Sequence, residues 1–242
     1  MALTAFNVRE EHGEQHKAPT TLSDFILGAQ DGLVNVLGII LGVSAATSDI
    51  RVLLAATLAA LGAESISMGA VAYTSTNARR KHYLKEIETE KREMKEVPHI
   101  ERREVEDVFR EWGYKGRELK RATDIIVSNP RAWLEFMMSH ELHLSPIGKS
   151  APFRSFVIVT LSTIFGSMVP IIPFLVLHGN IHAGVIGAVV VSGAVLFIIG
   201  YYEAKVTIGS LWMSGLRMAA IGLIAGFAGY LIGHFIGGMP PT

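Results

Sequence analysis

The sequence predicts an all-α membrane protein with five transmembrane helices and a three-helix cytosolic domain between the second and third. The second span is expected to extend into the cytosol. Three observations predict this. Half of the 242 residues are hydrophobic and the mean hydropathy is +0.36. The apolar residues gather into runs of about 20, the length of helix that crosses a hydrocarbon core of about 30 Å. Of 22 lysines and arginines, 16 lie between Arg79 and Lys149, so charge is concentrated in one central block. The expected organisation is a polar tail over 1–20, helices 1 and 2 over 21–78, a cytosolic helical domain over 79–149 and helices 3–5 over 150–242.

The tail carries EEHGEQH at 10–16. His12 and His16 could collect a cation there, but a solvated tail is the expectation. The tail has no apolar core, so no cleavable signal peptide is expected. The first span, 22–46, reads LSDFILGAQDGLVNVLGIILGVSAA. Asp31 lies well inside it, and a carboxylate at that depth is by default an ion or proton site. Gly28 and Gly32, then Gly38 and Gly42, repeat at four-residue spacing and make smooth strips for a neighbouring helix.

After the turn Thr47-Ser48-Asp49, the second span runs from about 51 to 73. No breaker occurs before Pro98, so one helix should cross the membrane and continue into water. Glu64 and Met68, four residues apart, share a face and could meet Asp31 from the neighbouring helix. Met68 alone would be ordinary packing.

Residues 99–142 read as helical and soluble. Ile100, Val105, Val108 and Phe109 form a stripe at helical spacing. Gly113 and Gly116 break it, a second helix spans 116–128, and Pro130 starts a third over 130–142. Three groups here have ligand spacing: Glu90 with Glu93, Glu101 with Glu104, and Met137 and Met138 with Glu141. Carboxylate oxygens bind divalent first-row metals, and thioether sulfur adds a softer ligand. Each group alone reads as a solvated face or as core; together in space they would be a metal-binding domain.

Three apolar runs remain. The third span, 153–177, contains Pro170 and Pro173, which should kink or locally unwind it unless neighbours satisfy the freed carbonyls. The fourth, 183–202, is rich in glycine. The fifth, 216–236, carries Gly222, Gly226, Gly229 and Gly233. The basic block should face the cytosol, which puts the N-terminus inside and the C-terminus outside or in a lumen. Glu203 and Lys205 read as anchors at a cytosolic span end, and His178, His182 and His234 as interfacial residues on the far side.

Enzyme readings find no support. His140-Glu141-Leu142-His143 is HELH, not HExxH, so its histidines do not share a helical face. No phosphate-cradling glycine loop and no oxidase-type histidine cluster appear, and the absence of cysteine excludes thiolate sites and disulfides. No enzyme activity, cofactor or nucleic-acid partner is expected.

LSDFILGAQDGLVNVLGIILGVSAA resembles the first-span signature of the vacuolar iron transporter family. SISMGAVAY resembles its second-span signature, and NPRAWLEFMMSHELHL the end of its cytosolic metal-binding region. The resemblance covers about residues 20–240 in order. It implies a homodimer of five-span subunits that exchanges Fe²⁺ for protons along a path at the dimer interface, lined by the first two spans. By motif match, Asp31 and Met68 take the places of the pathway aspartate and methionine. The family's cytosolic metal ligands fall on Glu90, Glu93, Glu101, Glu104, Met137, Met138 and Glu141. Some members carry a membrane glutamate two turns before the methionine; here Ala60 stands there, and Glu64 follows one turn later.

The expected function is therefore proton-coupled export of Fe²⁺ from the cytosol, with Asp31, Glu64 and Met68 as the pathway. Two alternatives stay open: the same fold carrying Mn²⁺, Co²⁺ or Zn²⁺, or a membrane metal-sensing module that does not transport. The expected setting is a plasma membrane in a bacterium and a vacuolar-type membrane otherwise.

Overall fold

The structure, a computed structural model, describes residues 18–177 and 180–237. The readings on His12, His16 and His178 lie outside the described residues. The chain divides into two compact units. One holds the chain up to Ala72 and from Arg154 onward; the other is Tyr73–Phe153. Helix α2 belongs to both.

In the first unit α1 (Ala18–Ala46) is central, and begins inside the stretch expected as tail. Leu33, Val36, Leu37 and Ile40 on it are fully buried. Its two glycine pairs serve different neighbours. A β-carbon on Gly28 would stand 2.1 Å from the Ser162 hydroxyl, and one on Gly32 2.4 Å from the Thr163 carbonyl oxygen, both on α6 (Ala151–Met168). The second pair meets α9 (Leu211–Gly237), where a β-carbon on Gly229 would lie 2.5 Å from the Gly38 carbonyl oxygen and one on Gly233 1.9 Å from that of Gly42. Lipid tails are as apolar as leucine, so contact area between closely approaching backbones is what holds such helices together. Helix α8 (Ile181–Val206) packs against both α1 and α9.

Helix α2 (Ile50–Glu96) starts where Asp49 Oδ1 accepts a 2.8 Å bond from the Arg51 amide, satisfying one of the first-turn donors. It runs for 47 residues without interruption. Proline disfavours helical backbone at the residue before it, and the helix ends ahead of Val97-Pro98. Among the described residues, five helices are long and apolar enough to cross a membrane: those over Thr21–Ala46, Ile50–Glu96, Ala151–Met168, Ile181–Val206 and Leu211–Gly237.

In the third span the structure has the unwound of the two expected outcomes: α6 stops at Met168 and a separate short helix, α7 (Ile172–Val176), follows. Pro170 and Pro173 have no amide hydrogen to give. The chain bridges the gap with tight bonds from Val169 N to the Gly166 carbonyl (3.2 Å) and from Ile171 N to that of Met168 (3.1 Å). Pro173 and Phe174 then seat on Gly187 and Gly184 of α8, where β-carbons would stand 2.8 and 2.6 Å from their rings.

The second unit contains the end of α2, α3 (Pro98–Glu111), α4 (Gly116–Val127) and α5 (Pro130–Phe136). Its core is Val105, Phe109, Trp133, Phe136 and Met137. Gly113 and Gly116 have φ of +92° and +55°, left-handed values that favour glycine at this turn. Asn129 caps α5, its Oδ1 accepting from the amides of Arg131 (3.0 Å) and Ala132 (3.3 Å). The expected third helix over 130–142 is α-helical only to Phe136. Met137–Glu141 is a π-helical turn, closed by a 3.0 Å bond from Leu142 N to the Met137 carbonyl.

Candidate metal and transport sites

In the second unit, α2 and α3 meet at a one-residue corner, Val97, with Pro98 as the first residue of α3. Glu90 precedes the corner by two turns and Glu93 by one, and Glu101 and Glu104 follow it in the first turns of α3. One carboxylate oxygen each from Glu90, Glu93 and Glu101 lies within 4.8 Å of the others. Glu90 is 5 % exposed and Glu101 3 %. Burial of two carboxylates at one point calls for a positive partner or for protons. Glu90 and Glu101 of this cluster, and Glu141 outside it, each keep one buried oxygen without a hydrogen-bond partner among the described residues. Two orphaned oxygens in one cluster fit a divalent cation.

The titration follows this geometry. Burial pushes the Glu90 carboxyl up to about 7, helped by the charges of Glu141, Glu93 and Glu104 and opposed by a hydrogen bond from Glu101. Burial pushes Glu101 up to about 8, with Glu104 and Glu90 adding to it. Glu104 and Glu141 are raised too, first by burial and then by neighbouring carboxylates; His143 works against the rise at Glu141.

The structure thus brings together Glu90, Glu93 and Glu101, with Glu104 and Glu141 close enough to act on them by charge. Met137 packs in the apolar core, and Met138 is buried beside it in sequence but outside that cluster. The π turn sets Glu141 away from its α-helical register with these methionines. Sequence reasoning passed over Glu86, which acts on Glu141 by charge. Its signal was the stripe Glu86-Glu90-Glu93. It also passed over the surroundings of His140, which stacks on Phe136 at 4.7 Å and lies edge-on to Trp112 at 5.2 Å.

In the first unit, Asp31 on α1 and Glu64 on α2 are half-buried and close enough to interact by charge. Met68, also half-buried, lies one turn along α2. Asn35, one turn after Asp31, donates from Nδ2 to Glu64 Oε1 at 2.7 Å. Glu64 Oε2 is buried and has no hydrogen-bond partner among the described residues. Asn35 itself is exposed on the isolated chain and opens onto a groove of about 550 Å³ between α1 and α9, lined by small residues such as Gly38, Gly42 and Ala228 and by aliphatic ones such as Ile39, Val43 and Ile232. At the span ends, His182 lies in the first turn of α8, Lys205 in its last turn, and His234 in the last turn of α9.

Compared with known proteins, residues 22–234 match the model of the VIT family. The chain belongs to the VIT family. Among curated VIT relatives it is 32 % identical over 222 residues to vacuolar iron transporter 2 of Oryza sativa subsp. japonica, covering 91 % of this chain and 90 % of that one. It is 29 % identical over 228 residues to vacuolar iron transporter 1 of Arabidopsis thaliana, covering 94 % and 91 %. The vacuolar iron transporter of Plasmodium berghei (strain Anka) is 27 % identical over 233 residues, covering 93 % and 85 %. VIT proteins are transporters and not enzymes, and five apolar helices make this member an integral membrane protein.

Proposed function

We propose that this protein exports Fe²⁺ from the cytosol in exchange for protons, as a homodimer with its path between the two copies. The observation that carries the reading is the pair Asp31 and Glu64 on adjoining membrane helices, bridged to Asn35 on an outward face. Polar and ionisable groups at such depth face a bundle interior or a water-filled path, not lipid. On the isolated chain Asn35 opens onto a groove rich in small residues, the surface on which another helix can approach closely. A second copy there would bury the amide and enclose the carboxylates.

Asp31, Glu64 and Met68 then form a mixed oxygen and thioether site of the kind that takes divalent first-row metals. Protonation of the carboxylates from the acidic side releases the cation, and their deprotonation in the cytosol readies the site for the next. The domain over 79–149 is read as cytosolic, because it carries most of the basic residues. There Glu90, Glu93 and Glu101, with Glu104 and Glu141 acting on them by charge and Met138 as a softer donor, collect metal from the cytosol, while Met137 packs in the core.

The test is Fe²⁺ flux into anaerobic proteoliposomes with and without an imposed pH gradient, with Mn²⁺, Co²⁺ and Zn²⁺ run in parallel. Flux should depend on the gradient and be lost in Asp31→Asn, with the variant folded as judged by size exclusion. Normal flux through that variant would remove Asp31 from the path. Flux of another ion in preference to Fe²⁺ would change the cargo, and folded protein that moves no ion would be a sensor.

A further inference from the structure

We propose that Asn35 is a positioning residue of the membrane site: it grips one oxygen of Glu64 so that the other is presented to the cation beside Asp31. This role rests on the transport reading above and adds a residue to it. Glu64 stands one turn before Met68 on α2. Its side chain has three flexible bonds and needs something to aim it.

Asn35 supplies the aim. It stands one turn beyond Asp31 on α1, and its Nδ2 reaches Glu64 Oε1 at 2.7 Å. That bond occupies Oε1 and leaves Oε2 buried, without a partner among the described residues and on a carboxylate close to Asp31. The chemistry of the donor fits the task. Lysine or arginine would hold the carboxylate too, but would cancel its charge and repel the cation. An amide fixes it and stays neutral, and its own oxygen remains an acceptor that a hard cation tolerates.

The test is a double-mutant cycle on Fe²⁺ flux in proteoliposomes, with Asn35→Leu made in the wild-type and Glu64→Asp backgrounds. In the wild-type background the KM should rise about tenfold, the loss expected for one hydrogen bond to a charged group, with maximal flux within about twofold. Glu64→Asp keeps a carboxylate in the path but draws it out of the amide's reach, so in that background the same substitution should leave KM unchanged, because residues that act through one another do not add. Asn35→Ala, read in the same cycle, carries the test if the leucine variant does not fold. An equal rise in KM in both backgrounds, or a loss of maximal flux at unchanged KM, would overturn the positioning role while leaving the transport reading intact. Absence of flux from the wild-type protein would overturn both.

Discussion

Glu90 and Glu101 stand on either side of the Val97-Pro98 corner with carboxylate oxygens within 4.8 Å of each other, and each is at most 5 % exposed. Two acids held this close and this dry cannot both be charged without a compensating ion. Each also leaves an oxygen without a partner among the described residues. The pair therefore chooses between protons and a cation, and that choice has a measurable sign.

The folded protein holds protons on Glu90 to about 7 and on Glu101 to about 8, against an ordinary 4.5. Between those limits the folded state binds more protons than the unfolded chain. The contribution to stability is thus complete below 4.5 and is lost as pH rises through 7 to 8. A divalent cation needs the deprotonated acids, so its stabilisation must run the other way and grow with pH. Thermal unfolding should show metal-free protein melting higher at about pH 5.5 than at about pH 8, and a metal-induced rise larger at the higher pH. Equal slopes with chelator and with Mn²⁺ would count against the cluster.

Glu101→Gln keeps the shape and removes one of the competing charges. At pH near 8 the metal-free variant should melt roughly 2–4 °C above wild type, the shift that a modest gain makes in a chain of this size. It should also lose most of the metal-induced rise. A variant that melts lower, yet still responds to metal in full, would assign Glu101 a purely structural role.

The contact between α1 and α9 leaves no room at Gly233, where a β-carbon would stand 1.9 Å from the Gly42 carbonyl oxygen. Backbone cannot swing aside as a side chain can. Gly233→Ala should cost about 1–3 kcal/mol, the usual penalty of overpacking. Gly193→Ala would meet only Leu223 methyls at 3.7 and 3.8 Å and should be neutral or slightly stabilising. Unfolding of both variants in detergent checks the contrast.

Much of this architecture was legible because the signals were local. The spans announced themselves by length and apolarity. The 47-residue α2 followed from the absence of any breaker before Pro98, and the glycine spacing on α1 foretold two close helix contacts. The carboxylate groups at Glu90, Glu93 and Glu101 were legible as ligand spacing, although spacing alone could not say that they converge. What was missed is non-local or has no period of its own. Pro170 and Pro173 could have kinked the third span or broken it, and what favours a break is a seat for Phe174 on Gly184 that lies elsewhere in the chain. The π turn at Met137–Glu141 has no sequence period to betray it. The bond from Asn35 to Glu64 joins residues 29 apart, and nothing near Asn35 points to its partner.

In the proposed membrane site, Met68 supplies the soft atom. Met68→Leu conserves volume and removes the thioether, so packing should hold while metal preference shifts. Mn²⁺ depends least on soft ligands among these ions. The apparent affinity for Fe²⁺ should fall severalfold and that for Mn²⁺ less, as read from competition in the flux assay. An equal fall for both ions would mean that Met68 only packs.

The central claim is that cation and protons cross in opposite directions through the same carboxylates. The direct measurement is luminal pH, read with a trapped dye in anaerobic proteoliposomes that start with no pH gradient, as Fe²⁺ is added outside. Exchange predicts that the lumen turns alkaline as Fe²⁺ enters, and that neither change occurs with Asp31→Asn. Fe²⁺ entry at constant luminal pH would contradict it.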